Sequence, residues 1–248
     1  MKTKAWIKKI IRSLGFDVIS ADTSREFLLA GNLRELFQRI DIGMVLDIGA
    51  NNGRYYDFLR DQVPFNGPIV SFEPIPELAR RLQKRASQAP NWDIHAIALG
   101  ANCSTGKLNI ASHSEVSSFL KFNETAQHLQ IAAVENVEIN TINNLGPTLF
   151  KEIPPERTFI KLDTQGFDLE VLKGSSEYID RIPILTTEIP FLHIYENMPS
   201  YLDYFSYLKE HEFDLVGMWP TSRDRLFRAR EFDCLYINAR LAFKDGES

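Results

Sequence analysis

Two short segments carry the residue types that a nucleoside ligand requires. Residues 45–53 read VLDIGANNG, an apolar run that ends in a glycine-bearing turn, where backbone amides can approach a ligand closely. Dinucleotide-binding enzymes need glycine where Asn51 stands, because a side chain there obstructs a pyrophosphate. Glu73 follows Gly53 by 20 residues and is held extended by Pro74, so its carboxylate is placed to accept hydrogen bonds from ribose hydroxyls. The pattern indicates a nucleoside ligand without phosphate, of which S-adenosylmethionine is the common example.

Two carboxylates and a histidine in the second half of the chain are candidates for proton transfer. Asp163 and Glu188 each end an apolar run, and His193 follows Glu188 closely. If both runs are parallel strands, their carboxyl ends meet at the edge where open α/β sheets bind ligands. Asp163 can orient a substrate hydroxyl, accept its proton or cap the following helix, and His193 is the side chain that ordinarily titrates nearest neutrality. The two carboxylates can alternatively hold Mg²⁺, but without a third acid in the pattern a metal-free site is favoured.

The elements that position these residues follow an alternation typical of βαβ units and a parallel sheet. Strands are predicted at 44–48, 69–72, 94–99, 158–162, 184–189, 213–218 and 232–238, and helices at 25–40, 54–62, 75–88, 168–173 and 202–210. Residues 104–139 interrupt the alternation as a substrate-shaping insertion with short strands at 107–111, 116–120 and 134–139. The prediction is a seven-stranded, mostly parallel sheet flanked by helices, with the last two strands antiparallel. A helical extension over 1–40 precedes one domain over 41–240, and a polar tail over 241–248 follows it.

Five segments together carry a family pattern over about residues 41–240. They are LDIGANNG (46–53), SFEP (71–74), AIALG (96–100), IKLDTQGFDLEVLKG (160–174) and TTEIPFLHIYENMPSY (186–201). In these segments the chain resembles the FkbM family of S-adenosylmethionine-dependent methyltransferases. The resemblance implies a Rossmann-like class I methyltransferase fold, S-adenosylmethionine as cofactor, and O-methylation of a hydroxyl of a sugar, a glycan or a secondary metabolite. Gln165 departs from the family, which commonly has an acid there, and the lost charge weakens any role of this residue as a metal ligand or base.

Three groups of site residues are expected within this frame. Asp47 is expected to hold the glycine turn or reach the methionine amino group, and Ala98 to lie against the adenine ring. The cofactor-binding group is Asp47, Gly49, Asn51, Gly53, Glu73 and Ala98. The catalytic group is Asp163, Glu188 and His193. Substrate contacts are expected from Ser117, Ser118 and Tyr195, and no metal ligand is assigned.

Composition limits the remaining classes of protein. With 248 residues, 44% hydrophobic and 25% charged, the chain is globular, not disordered, collagenous or a coiled coil. Its 28 Lys and Arg against 33 Asp and Glu argue against a nucleic-acid partner, since such proteins usually carry a basic face. Cys103 and Cys234 stand alone, which fits a reducing, cytoplasmic location and implies no zinc site.

The N-terminus is the one segment with a membrane alternative. No apolar run is long enough to span a bilayer, so no transmembrane segment is expected. Residues 1–16 combine apolar side chains at helical spacing with lysines, so they can make weak peripheral contact with an anionic membrane. A short helix packed on the domain, with its lysines in water, is the favoured interpretation.

Two other functions compete with methyl transfer. A non-catalytic module that kept the fold as a scaffold is disfavoured, because a scaffold has no use for Gly49, Gly53 and Glu73 together. A nicotinamide-dependent oxidoreductase is disfavoured by Asn51. A small molecule or a glycan is the expected acceptor, and the sequence leaves the oligomeric state open.

Overall fold

The computed structural model describes residues 24–126 and 129–242, and a seven-stranded sheet forms its centre. The described strands are β1 Met44–Ile48, β2 Ile69–Phe72, β3 Trp92–His95, β4 Ala98–Leu99, β5 Ser104–Ala111, β6 Ile131–Asn140, β7 Thr158–Leu162, β8 Ile184–Pro190, β9 Phe213–Arg223 and β10 Ala229–Asn238. The central sheet has the order β3-β2-β1-β7-β8-β10-β9. Only β10 runs antiparallel to its neighbours, so the predicted mostly parallel sheet of seven strands is confirmed.

Helices cover both faces of this sheet. They are α1 Ser24–Ile40, α2 Arg54–Asp61, α3 Pro76–Ala86, α4 Ile142–Leu149, α5 Asp168–Lys173, α6 Tyr201–Glu210 and α7 Ala239–Ala242. One apolar cluster joins α1, α2 and α3 to one face, and a second joins α4, α5 and α6 to the other. Because both faces are covered, β1 and β7 are buried at every residue, which explains their nearly continuous apolar sequences.

The face under α1 and α2 changes from apolar to polar toward the carboxyl ends of the strands. Side chains alternate along a strand, so Asp47 and Lys161 share a face with the buried Val45 and Phe159. In register, Ser71, Asp47, Lys161 and Thr186 form one polar row across β2, β1, β7 and β8. The fold therefore collects polar groups at the edge where the predicted site residues stand.

Two sequence predictions about the strands are wrong. The predicted strand 94–99 is split, because the chain leaves the central sheet after β3, and β4 instead pairs with β6 in a separate sheet of order β4-β6-β5. The predicted strand 116–120 is a single 3₁₀ turn, Ser114–Val116, followed by an isolated bridge between Asn109 and Ser118. The other two short strands are present and longer than predicted, as β5 and β6.

The two ends of the chain are described only in part. Residues 1–16, predicted to form a surface helix, lie outside the described residues. Of the predicted tail 241–248, only residues 241–242 are described, at the end of α7. The division into three segments stays a prediction. Within the described ranges, no helix has the length and apolar character to cross a membrane.

Candidate functional site

The turn between β1 and α2 has a backbone that requires glycine at its first position. Gly49 and Gly53 both have φ of 80°, and Asn51 has φ of 46°. A Cβ atom built on Gly49 would lie 2.0 Å from the carbonyl oxygen of Asp163. A side chain at position 49 therefore fits only if the backbone after β7 moves.

Glu73 holds this turn from the side. One of its carboxylate oxygens accepts a hydrogen bond from the Asn51 N–H at 2.7 Å, and the other accepts from the Ile75 N–H at 2.8 Å. Burial raises the pKa of Glu73 to about 7, although these two hydrogen bonds act to lower it. Since each carboxylate oxygen has more than one acceptor position, Glu73 can also receive hydroxyl groups of a ligand.

A buried ion pair links the glycine turn to the centre of the sheet. Lys161 Nζ donates to the Gly49 carbonyl oxygen at 2.8 Å and lies 3.2 Å from Asp47 Oδ1. Asp47 Oδ2 accepts from the Ser71 hydroxyl at 3.0 Å, which in turn accepts from the Trp92 indole N–H at 2.9 Å. Burial acts to lower the pKa of Lys161, but the carboxylates of Asp47 and Asp163 outweigh it and raise that pKa.

A cavity of about 590 Å³ opens at the carboxyl ends of β1, β7 and β8. Gly49, Asn51 and Glu73 line the end beside the glycine turn. The apolar wall of this cofactor end consists of Ile75, Ala98, Leu99, Leu108 and Phe119. The volume suits a small-molecule site, the carboxylate suits ribose hydroxyls, and the apolar wall suits a flat ring. The residues present therefore fit S-adenosylmethionine.

A second part of the cavity lining, called here the acceptor end, is acidic. Its carboxylates belong to Asp163, Glu188, Glu231 and Asp233. Burial, and next the charge of Asp163, raises the pKa of Glu188 well above its ordinary value. Burial also raises the pKa of Asp233 to about 6, although Arg25, 2.9 Å away, acts to lower it. Arg25 and Arg230 line the cavity beside them, so the carboxylates outnumber the arginines of this wall by four to two.

Gln165 brings the first two of these carboxylates together. Its Nε2 donates to Asp163 Oδ1 and to Glu188 Oε2, each at 3.1 Å. Two members of the predicted catalytic group are therefore neighbours in space, at the carboxyl ends of β7 and β8. The carboxylate that holds the turn before α5 is Asp168, which accepts from the Thr164 N–H at 2.7 Å.

Two residues of the predicted cofactor group are not among the residues that line the cavity. Asp47 is fully buried beneath the turn and pairs with Lys161. Gly53 faces away, since a Cβ built on it would lie 2.8 Å from Arg85 Nη1 and 3.0 Å from Trp92. Both residues shape the turn from behind, while Gly49, Asn51, Glu73 and Ala98 face the cavity.

The remaining predicted residues divide in the same way. Ser117 lines the cavity, and its Oγ accepts from the Ala111 N–H. Ser118 and Tyr195 do not line it and are buried. The structure does not bring His193 to the carboxylate pair, because it stands outside the lining, with its carbonyl oxygen bound by Asn123.

Sequence reasoning missed four residues of this site. Lys161 had a signal, because a lysine inside an apolar strand needs a carboxylate nearby, and Asp47 occupies the facing register position of β1. The sequence contains no such signal for Arg25, Glu231 and Asp233, because β10 and α1 reach the cavity only through the tertiary fold. In the described ranges, no three His, Cys, Asp or Glu side chains form a group able to hold a metal ion.

Comparisons with known proteins agree with this geometry. The family model "Methyltransferase FkbM domain" matches residues 47–215. A search of curated proteins finds no significant match. The crystal structure of methyltransferase FkbM from Methylobacillus flagellatus KT is similar, with 19% identity and a TM-score of 0.51 over 79% of this chain and 44% of that one. The present chain thus spans less than half the length of that relative.

Two further solved structures give weaker likenesses. An rRNA methylase from Streptococcus thermophilus has 13% identity and a TM-score of 0.49, over 89% of this chain and 98% of that one. Fibrillarin from Aeropyrum pernix, in complex with S-adenosyl-L-methionine, has 12% identity and a TM-score of 0.45, over 85% and 74% of the two chains. The family match covers well over half of the sequence. The chain therefore belongs to the FkbM methyltransferase family, with the class I methyltransferase fold and S-adenosylmethionine as its cofactor.

Proposed function

We propose that this protein transfers the methyl group of S-adenosylmethionine to a hydroxyl group of a neutral, polyhydroxylated acceptor such as a sugar, a glycan or a secondary metabolite. One observation carries the proposal. The hydrogen-bonded carboxylates of Asp163 and Glu188 line the same cavity as the glycine turn and Glu73.

For this reaction the chain must position the acceptor hydroxyl and remove its proton. S-adenosylmethionine, when bound, supplies an electrophilic methyl group. A hydroxyl is a poor nucleophile until its proton begins to leave, and a positioned base contributes roughly 10²–10⁴-fold. In the proposal, Glu73 holds the ribose hydroxyls and the Asp163–Glu188 pair accepts the proton as the acceptor oxygen bonds to the methyl carbon. His193, outside the cavity lining, is not needed for this step.

The composition of the acceptor end supports a neutral acceptor. Thr221 and Ser222 add hydroxyl groups to the carboxylates there, and the buried Thr186 hydroxyl makes no hydrogen bond within the described part of the chain. Carboxylates and hydroxyls together suit the many hydroxyl groups of a polyol. The four carboxylates outnumber Arg25 and Arg230 there, so the wall disfavours phosphate groups, including those of RNA. A nucleic-acid acceptor is therefore outside the proposal.

Labelled methyl transfer tests the proposal. The purified protein is incubated with S-adenosylmethionine labelled in its methyl group and with separate pools of neutral oligosaccharides, polyhydroxylated natural products, sugar phosphates and RNA. We expect label in a neutral pool only. Asp163→Asn and Glu188→Gln should slow the transfer at least about tenfold, with cofactor affinity unchanged within a few-fold. The matched control, Asp61→Asn, alters an exposed carboxylate at the end of α2 and should transfer normally.

Two outcomes would overturn the proposal. Label in RNA or in sugar phosphates would contradict the neutral acceptor. Normal transfer by both carboxylate variants would show that this pair does not accept the proton. The predicted cytoplasmic location is a separate part of the proposal, and the free thiols of Cys103 and Cys234 support it.

A further inference from the structure

The amide group of Gln165 stands where two acidic side chains converge. Its Nε2 lies 3.1 Å from Asp163 Oδ1 and 3.1 Å from Glu188 Oε2. An amide nitrogen carries two hydrogens, so one NH₂ group can donate to both carboxylates at once. Carboxylates accept hydrogen bonds, and this fixes the amide orientation with its nitrogen toward the pair and its oxygen away from it.

Two further contacts hold Gln165 from the other side. The Tyr195 hydroxyl lies 3.1 Å from Gln165 Oε1 and 2.8 Å from the Val116 carbonyl oxygen, so its one proton is shared between two acceptors. The Ser118 hydroxyl donates to the Gln165 carbonyl oxygen at 2.7 Å. Burial raises the pKa of the Tyr195 phenol, so this hydroxyl keeps its proton and remains a donor. Ser118 and Tyr195 were predicted to contact substrate, but the Ser118 hydroxyl binds Gln165 and the Tyr195 hydroxyl lies between Gln165 and Val116.

The backbone at this point is also specialised. Gln165 has φ of 53° and Gly166 has φ of 87°, two successive residues in the left-handed region. A non-glycine residue is uncommon there, and such a conformation persists only where surrounding contacts determine it. The bonds from Ser118 and Tyr195 are such contacts, and the resulting position of the side chain places its amide between the two acids.

We propose that Gln165 is a positioning residue for the methyl transfer, its amide holding Asp163 and Glu188 in one arrangement and filling the place between them that a divalent cation could otherwise take. This inference rests on the proposed function. Two neighbouring carboxylates repel each other unless something donates to both, and the NH₂ group does so without a net charge. When the proton of the acceptor hydroxyl passes to one carboxylate, the amide continues to donate to the other.

The decisive variant is Gln165→Glu, which keeps the shape of the side chain and replaces both N–H donors by an acceptor oxygen. A third carboxylate beside Asp163 and Glu188 gives an oxygen-rich group of the kind that divalent cations bind. We expect calorimetric titration with MnCl₂ to show at least about tenfold tighter binding to Gln165→Glu than to the wild type. Gln88→Glu, which adds the same charge at an exposed position, is the matched control and should titrate like the wild type.

The second readout is the pH profile of methyl transfer. Added negative charge raises the pKa values of neighbouring carboxylates, so in Gln165→Glu the rise of kcat/KM with pH should move upward by about one pH unit. Tyr195→Phe, which removes the hydroxyl that Gln165 Oε1 and the Val116 carbonyl oxygen share, should lower kcat severalfold and create no cation site. A loss of packing alone would lower stability and leave the midpoint of the pH profile in place.

The two proposals fail in different ways. If the wild type transfers no methyl group to any acceptor pool, the proposed function fails, and the MnCl₂ titration still tests the placement of Gln165. If methyl transfer occurs but Gln165→Glu keeps the wild-type pH profile and the wild-type affinity for Mn²⁺, Gln165 is not a positioning residue. In that case the roles of Asp163 and Glu188 as proton acceptors stand.

Discussion

The two ends of the cavity are built in different ways. The cofactor end comes from short, contiguous segments, the turn that holds Gly49 and Asn51 and the strand end that holds Glu73, and its contacts involve mostly backbone amides. The acceptor end brings together side chains from α1, β7, β8 and β10, with Gln165 bridging two of them. Backbone geometry is encoded locally, whereas a constellation of side chains needs the whole fold. This contrast explains why the cofactor could be inferred before the acceptor.

The two ends also differ in charge, and Lys161 joins them. Glu73 and Glu115, the latter paired with Arg54, line the cavity beside the turn, and the acceptor end holds four carboxylates. Lys161 donates to the Gly49 carbonyl oxygen on one side and lies 3.6 Å from Asp163 on the other. Variants at these positions test whether the two ends are independent.

Lys161→Met should have the largest effect, because it reaches both ends. It leaves Asp47, which is fully buried, without its counter-charge, and removing one partner of a buried ion pair costs about 3–5 kcal/mol. We expect the free energy of unfolding in urea to fall by that amount. Lys173→Met removes a half-exposed pair with Glu170 and should cost less than about 1 kcal/mol. Equal losses in the two variants would show that the buried pair contributes no more to stability than the half-exposed pair.

Glu73 should give the cofactor end a pH signature of its own. Its pKa is raised from 4.5 to about 7, so between these values the folded protein holds a proton that the unfolded chain has released. The stability that Glu73 contributes therefore falls as pH rises from 4.5 to 7. The fall is about 3–4 kcal/mol, because one pKa unit is about 1.4 kcal/mol.

The measurement is the difference in unfolding free energy between the wild type and Glu73→Gln across this pH range. The glutamine side chain has only one acceptor oxygen, which adds an offset that does not vary with pH. Glu77→Gln alters an exposed acid on α3 and should give a flat difference. A flat difference for Glu73→Gln as well would place its carboxyl in a more polar environment than the structure shows.

Gly49→Ala should act on cofactor binding. The new Cβ would meet the Asp163 carbonyl oxygen at 2.0 Å, so the turn and the end of β7 must separate. We expect affinity for S-adenosylmethionine to fall about 30- to 100-fold, equivalent to about 2–3 kcal/mol. Gly31→Ala is the control, since its nearest neighbour is 3.9 Å away. Calorimetry on folded protein decides, and wild-type affinity in Gly49→Ala would place the cofactor away from the turn.

Arg25→Ala should have the smallest effect and be confined to the acceptor end. The Arg25–Asp233 pair is partly exposed, at 37% and 28%, and such pairs contribute less than about 1 kcal/mol. We expect an unfolding midpoint close to that of Arg39→Ala, which removes an exposed pair on the same helix. Cofactor affinity should be unchanged in both. A change of cofactor affinity in Arg25→Ala would show that the two ends are coupled through α1.

The successes and failures of the sequence predictions also divide between features encoded locally and features that need the whole fold. The strands of the central sheet, the glycine turn and Glu73 could be predicted because each has its pattern in contiguous residues. Helix α4 was missed because INNLGPTL contains Gly146 and Pro147, which disfavour helix, although Thr141 caps its start with a 3.0 Å bond from the Asn144 N–H.

The wrong prediction of a strand at 116–120 has a similar physical reason. Ser117 and Ser118 bind backbone groups elsewhere, the Ala111 N–H and the Gln165 carbonyl oxygen, and such side-chain bonds compete with strand pairing. The bridge from Tyr195 to Gln165 spans 30 residues, so no local pattern contains it.

Trp92 gives the molecule an optical reporter of its cofactor end. Its indole N–H belongs to the hydrogen-bonded row that reaches Lys161 and the glycine turn, and its ring stacks on Tyr56 with centroids 3.8 Å apart. Its ring also borders Gly53, on the far side of the turn from the cavity. Indole emission responds to the polarity and rigidity of its surroundings. We therefore expect a ligand that orders the turn to change the Trp92 part of the intrinsic fluorescence, so that occupancy can be followed with no label attached.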